Sequence, residues 1–443
     1  MNLIFAVAAL AILIWAAAIL LRGGPLCGAL TVLLAGTCFG YRFFHLETGF
    51  IPLTADRLLF LLVIGQCLLC QRFGLTANRP WGKAEVVLAL LIGDLALSTL
   101  AHDWRYQGNL PASKLLFYYL MPSGMYWLAR QAHLSEPLAR LIFGFLALMG
   151  VYLAATGIAE VTHYRQFIFP SYIASGNELE FLGRARGPLM NPAGNGYVLA
   201  VAMCAAWMWW PRLHSLGRSL LIAGMGLFVA GLYATLTRCV WLGGLTMSLV
   251  VAGFVLPRHF RAPVVTATLL VACVVGALQW ERLMQFKRDE GQSSQEAKES
   301  AKLRPVLAIV AWRMFLDRPV FGCGFGHYRE KFVEALEDRS SDFPLDTSRR
   351  YVQHNVFLGL LTETGLVGTC LFTMLVGYWL ADAWKLWHSP APLWRRQFGL
   401  FFMATFASYL CNGMFQDLAI IPMVNMMFFL LAGLTSAAAR DAQ

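Results

Sequence analysis

LARLIFGFLALMGVYLAATGI, residues 138–158, carries a single charge, Arg140, near its start. A bilayer core needs about 20 mostly apolar residues per helix, and this stretch meets that length with its charge at one end. The same pattern recurs near 2–21, 25–41, 58–75, 84–101, 113–130, 192–210, 218–236, 239–256, 262–280, 355–380, 397–415 and 418–437. The expected fold is therefore an all-α polytopic membrane protein of about 12 transmembrane helices (11–13). It reads as one integral membrane domain over 1–443. Residues 2–21 lack a basic leader and a clear small-x-small cleavage site, so they read as a helix rather than a signal peptide.

Composition agrees. Of the 443 residues, 58% are apolar and 14% charged, against about 45–50% and about 25% in soluble domains. A soluble enzyme of this size would lack the polar surface to cover itself, and disorder is excluded for the same reason. The net charge is +10, yet no basic run or basic helix points to nucleic acid. Cationic loops explain it instead, since Lys and Arg hold loops on the cytoplasmic side. The ten cysteines are scattered. Cys67 and Cys70 form one CxxC inside an apolar run with no second pair nearby, which reads as core rather than zinc or redox chemistry.

Leaving out the first hairpin, one set of short loops carries twelve Lys or Arg, including Arg72, Arg79, Arg130, Arg212 and Arg396. The opposite set carries six: Arg105, Lys114, Arg165, Arg184, Arg186 and Arg238. The asymmetry puts the second set outside the cytoplasm, together with the long segment 281–353. That segment holds thirteen basic and twelve acidic residues. Its start is polar. LRPVLAIVAWRMFLDRP, 303–319, then places Leu307, Val310, Ala311 and Met314 on one helix face. Pro319 and Gly322, Gly324 and Gly326 predict a turn, and 327–338 a short charged helix. The whole predicts one large, partly helical periplasmic loop.

Charges near membrane depth are costly and mark sites by default. Asp94, Arg186, Arg238, His354, Glu363 and Asp417 are the candidates. Asp94, mid-span, is expected to make a structural hydrogen bond in the bundle. Arg186 lies in a Gly- and Pro-broken stretch before a new span. It is either an anion ligand at an open helix N-terminus or a snorkelling boundary residue. Arg238, in a tight outward hairpin, opposes the positive-inside trend, which favours an anion ligand. His354 opens a span, as a general base or as a cap. Two arginines and a histidine at one outer surface suit a lipid-linked diphosphate. No Asp-x-Asp pair supports a metal, and no cofactor is implied.

Four stretches together resemble the O-antigen ligase and O-antigen polymerase superfamily of bacterial envelope glycosyltransferases. They are RARGPLMNPAGNGYVLA (184–200), TLTRCVWLGGL (235–245), WRMFLDRPVFGCGFGHY (312–328) and HNVFLGLLTETGLVGTCLF (354–372). The resemblance spans about residues 180–380. It implies a multi-pass protein of the bacterial inner membrane, with the periplasmic loop capping the site. The implied reaction moves a glycan from undecaprenyl diphosphate to a glycan, lipid or protein acceptor, without nucleotide sugar or metal. It further implies that Arg186 and Arg238 bind the diphosphate, and that Arg304 joins them at the opening of the periplasmic helix. His354 would be the base, with Asn355 and Asn191 in support. Thr237 stands where the family often has Ser, and Asn191, Pro192 and Ala193 where it often has Asn-Pro-Asn. Rival readings are a polysaccharide or solute transporter (a flippase, for example), which would favour repeated halves and broken helices at the midplane, and a non-catalytic scaffold.

Overall fold

The computed structural model describes residues 24–46, 52–74, 78–105, 111–175, 180–279, 281, 294–336 and 353–441. Fourteen helices are described. They are α1 (Gly24–Phe39), α2 (Ala55–Arg72), α3 (Lys83–Ala101) and α4, which runs through Pro111–Leu115, a π-helical turn Leu116–Leu120 and Met121–Arg130. Then come α5 (Glu136–Val161), α6 (Pro192–Trp207), α7 (Ser215–Ala234), α8 (Arg238–Val255) and α9 (Arg258–Leu278). After these follow α10 (Ser294–Asp317), α11 (Tyr328–Leu336), α12 (Val356–His388), α13 (Leu393–Gly413) and α14 (Pro422–Arg440). The only sheet among the described residues is a two-residue pairing of His45–Leu46 with Leu53–Thr54.

Every expected span from 25–41 onward coincides with a helix, while the span 2–21 lies outside the described residues. Among the described helices, seven (α3, α5, α7, α8, α9, α12 and α14) are long and apolar enough to cross a membrane by length and composition. Burial separates lipid-facing from central elements. α9 has no buried residue and exposes Leu269, Leu270, Val271, Val274 and Val275. In α6, every residue from Pro192 to Ala206 is buried. An apolar helix exposed all along needs lipid around it, whereas α6, like α14, is enclosed by other helices. Small residues permit that close packing: a Cβ on Gly196 would lie 2.4 Å from the Val240 side chain of α8. Such small contacts are how membrane helices approach one another.

One end of the bundle is pinned by charge. Arg130 Nε lies 2.6 Å from Glu85 Oε1 and Arg440 Nη2 lies 2.9 Å from Glu85 Oε2. Tyr126 donates to the same carboxylate at 2.6 Å.

The other end carries the cap, α10 and α11. Val306, Val310, Ala311, Met314, Cys323, Tyr328 and Phe332 form its own small core, against which Leu358 of α12 packs. The expected face of Leu307, Val310, Ala311 and Met314 is buried, although α10 begins well before it and runs through Pro305. The cap is also joined to α12 through its backbone. At Gly365 (φ 62°, ψ −157°) α12 breaks. The segment 319–324 fills the break: Cys323 and Gly324 donate to the carbonyls of Thr362 (2.8 Å) and Glu363 (3.1 Å), and Leu366 and Val367 donate to those of Pro319 (2.8 Å) and Val320 (3.2 Å). Gly322 must be glycine here. Its φ is +71°, and a Cβ would lie 2.5 Å from the Glu363 carbonyl carbon.

Asp94 departs from expectation at one of its two carboxylate oxygens. Its Oδ2 is buried with no hydrogen-bond partner among the described residues. It faces Gly368 of α12, where a Cβ would sit 3.0 Å away.

Candidate active site at the capped end

Three helices start at this end with the same local construction. Met190 (φ 51°), Leu236 (φ 47°) and His354 (φ 46°) each adopt a left-handed conformation immediately before an N-cap, which is Asn191, Thr237 and Asn355 respectively. Non-glycine residues pay about 1–2 kcal/mol for that conformation, and such strain collects at functional sites. The starts of α6 and α8 are neighbours in space, and that of α12 meets the turn after α13. Val240 of α8 packs at Gly196 of α6, and Ile421, before α14, packs at Gly194.

The α6 start is closed. Asn191 Oδ1 accepts from Ala193 N (2.9 Å) and Gly194 N (3.1 Å). The N–H groups expected to be open to an anion are therefore taken by the helix's own cap. Arg186 is equally engaged and only 1% exposed. Its guanidinium donates to the carbonyls of Glu180 (2.9 Å), Ile173 (3.1 Å) and Ser175 (3.4 Å), and its Nε lies 3.7 Å from Glu160 Oε1. Glu160 also accepts from Gly187 N at 2.8 Å. Arg184, 4% exposed, lies over the Phe181 ring. Neither arginine snorkels, because each is folded inward as a clasp on the preceding loop.

The other expected residues converge. Arg304 lies inside α10 rather than opening it, and donates to the Phe415 carbonyl beyond the end of α13. Asn355 Nδ2 donates to the neighbouring carbonyl, Met414, at 3.0 Å. Its Oδ1 meanwhile accepts from Phe357 N and Leu358 N, both at 2.9 Å, which fixes where α12 begins. Arg304 acts electrostatically on Arg238 and on Cys239 at the start of α8. Burial lowers the pKa of the Arg304 guanidinium. Arg304 and the residue after His354 thus meet at the 414–415 turn, with Arg238 within electrostatic reach of Arg304. Clustered guanidinium groups at one end of a bundle favour a polyanion, which they can bind through bidentate forks.

On the cavity side of α12 lies a pocket of about 210 Å³, lined in part by Lys114, Tyr118, Tyr328, Gln353, Glu363 and Asp417. Lys114 Nζ is 3.9 Å from Glu363 Oε1. Burial first, then the nearby Glu363, push the Asp417 carboxyl up to about 7, against the pull of Lys114. Glu363 and Asp417 were legible in the sequence as isolated charges. Lys114, Tyr328 and Gln353 were not, because each sits in an ordinary context and meets the others only through the fold. Glu160, the partner of Arg186, was missed as the last acidic residue of an apolar span. Among the described residues no group of His, Cys, Asp and Glu could hold a metal ion.

Helices of membrane-spanning length, with a helical cap at one end, define a multi-pass membrane protein. A family model described as O-antigen ligase matches residues 223–373. That stretch runs from α7 through the cap into α12 and contains Arg238, Arg304 and His354, whereas Arg186 and Asp417 lie outside it. The match supports the O-antigen ligase and polymerase superfamily, and with it a membrane enzyme of ligase or glycosyltransferase type. No curated protein matches the chain.

Proposed function

We propose that this chain transfers a glycan from undecaprenyl diphosphate to an acceptor hydroxyl at the periplasmic face of the bacterial inner membrane. The observation that carries the reading is the meeting of Arg304 and the His354–Asn355 start of α12 at Met414 and Phe415, with Arg238 within electrostatic reach of Arg304. Bringing two like charges together costs Coulomb energy, which a bound diphosphate reverses. His354 takes the proton from the acceptor hydroxyl as its oxygen bonds to the anomeric carbon of the donor. The bond from that carbon to the diphosphate breaks, and the released charge rests on Arg238 and Arg304. Arg186 acts at one remove, by holding the loop ahead of α6.

The outward side follows from the twelve-to-six distribution of loop cations, and makes 281–353 periplasmic. A transporter would use a broken helix to bind its cargo. Here the break at Gly365 is filled by the chain's own backbone, which favours the enzyme. A glycan acceptor makes the protein a polymerase, a lipid-A core a ligase, and a Ser or Thr a protein O-glycosyltransferase. The test is transfer from purified undecaprenyl-diphosphate glycan by the detergent-solubilised full chain. Loss of transfer in Arg238→Ala and Arg304→Ala at normal protein level is expected. Wild-type rates in both would overturn the reading.

A further inference from the structure

Gln353 immediately precedes His354 and lines the cavity on α12, and Tyr328 lines it from the cap. Tyr328 is 2% exposed and Gln353 8%. The Tyr328 hydroxyl and Gln353 Oε1 are both buried without a hydrogen-bond partner among the described residues. Buried polar atoms left unpaired are costly, and native interiors hold few of them. Two lining one cavity point to a ligand that supplies the missing hydrogen bonds.

The other walls define its chemistry. Tyr118, Tyr119 and Phe325 give aromatic surface, with Tyr119 and Phe325 edge to face at 5.5 Å. Glu363 and Asp417 supply acceptors, and Lys114 and Arg329 supply donors. Acidic and basic side chains line it in equal number, which suits a neutral ligand rather than a diphosphate. The volume is too small for a helical peptide. A lipid tail would strand the carboxylates without partners. A ring with an apolar C–H face and a rim of hydroxyls satisfies every wall. Neither Arg238 nor Arg304 lines the cavity.

We infer that this cavity is the subsite for one neutral sugar ring of the acceptor. Tyr328, Gln353 and Glu363 bind its hydroxyls, so that an adjoining hydroxyl faces His354. Only the assignment to the acceptor rests on the proposed transfer reaction; recognition of a sugar ring stands on the cavity itself.

The experiment has two arms on the solubilised full chain. The first is saturation-transfer NMR with the methyl glycosides of glucose, galactose, N-acetylglucosamine and N-acetylgalactosamine. Wild type should saturate ring protons of at least one sugar. Tyr328→Phe should weaken that binding about tenfold or more without lowering the unfolding temperature, since the hydroxyl it removes has no partner among the described residues. Glu363→Gln is the second variant and should weaken it likewise. The second arm is transfer kinetics, in which Tyr328→Phe should raise KM for the acceptor while leaving KM for the lipid donor in place. Sugar binding that both variants abolish, with no transfer by wild type, leaves the subsite standing and removes the transfer reading. Normal transfer, with acceptor KM and sugar binding unchanged in both variants, overturns the subsite alone. Failure of wild type to saturate any of the four sugars, together with unchanged acceptor KM, overturns it as well.

Discussion

Arg304 and Asn355 donate to consecutive backbone carbonyls, Phe415 and Met414, although one belongs to the cap and the other begins a bundle helix. The turn after α13 therefore sets the distance between the cap's cation and the start of α12. This couples cap position to the site: a cap that lifts away carries Arg304 with it and leaves His354 behind.

Removal of either guanidinium should tell directly on turnover. Charge-assisted hydrogen bonds are worth about 1.5–3 kcal/mol, so Arg238→Ala or Arg304→Ala should slow transfer roughly 10- to 150-fold. Lys should restore part of this, because a point charge lacks the bidentate fork. The check is kcat/KM with a defined lipid-linked glycan. Equal rates for Ala and wild type would remove that arginine from diphosphate binding.

Arg186 should behave differently. Its protein partners include three carbonyls and Glu160. Arg186→Ala leaves a buried carboxyl without its cation and several carbonyls without their donor, at a cost of about 3–5 kcal/mol. The expected outcome is a large fall in unfolding temperature, with near-normal donor affinity in protein that remains folded. A variant with an unchanged melting point and lost donor binding would return Arg186 to the diphosphate.

The spans were legible because a bilayer imposes a length and a polarity that a single chain must display. The motif residues were legible as charges in the wrong place. What was not legible is pairing at a distance. Nothing near Arg186 in sequence announces that carbonyls 173, 175 and 180 will close on it. Nor does the Gly322 turn announce the gap at Gly365 that it fills, because backbone hydrogen bonds carry no residue code. The cavity is a third case, as Lys114 and Asp417 are some 300 positions apart and meet only in the fold.

The cap–helix joint makes its own prediction. Gly365→Ala would put a Cβ 2.4 Å from the Val320 carbonyl oxygen at a φ of +62°. The conformation alone costs about 1–2 kcal/mol, and the clash adds to it. The cap should loosen while the bundle holds. Hydrogen exchange should rise at Leu366, Val367, Cys323 and Gly324 and stay unchanged in α6. Uniform protection across both regions would show that the joint tolerates the methyl group.

Asp417 should give stability a pH dependence. Its folded carboxyl is held at about 7 by burial and by Glu363, against about 3.9 for an unfolded Asp. Between those values the folded state holds more protons than the unfolded one, so stability falls as pH rises from about 4 to 7 and then levels off. Lys114, Tyr118, Tyr119 and Tyr409 also face this group, and the tyrosines stay neutral in this range. Asp417→Asn should flatten that part of the curve. Thermal unfolding at pH 4.5, 6 and 7.5 is the measurement, and parallel curves for the two proteins would contradict it.

His354 allows a cleaner test than its neighbours, because its backbone limits which replacements are informative. At φ +46° an alanine pays a conformational cost, so His354→Ala mixes strain with lost chemistry. Asn tolerates the left-handed region much as His does, forms hydrogen bonds and cannot take up a proton. A positioned base contributes about 10²- to 10⁴-fold. His354→Asn should therefore keep its unfolding temperature and donor binding while losing transfer by about that factor, and His354→Gln should lose transfer as well. Were His354 merely the residue that turns the chain into the Asn355 cap, Asn would serve as well as His. A His354→Asn protein transferring at the wild-type rate would leave the left-handed turn as the residue's whole role and move the base elsewhere in the site.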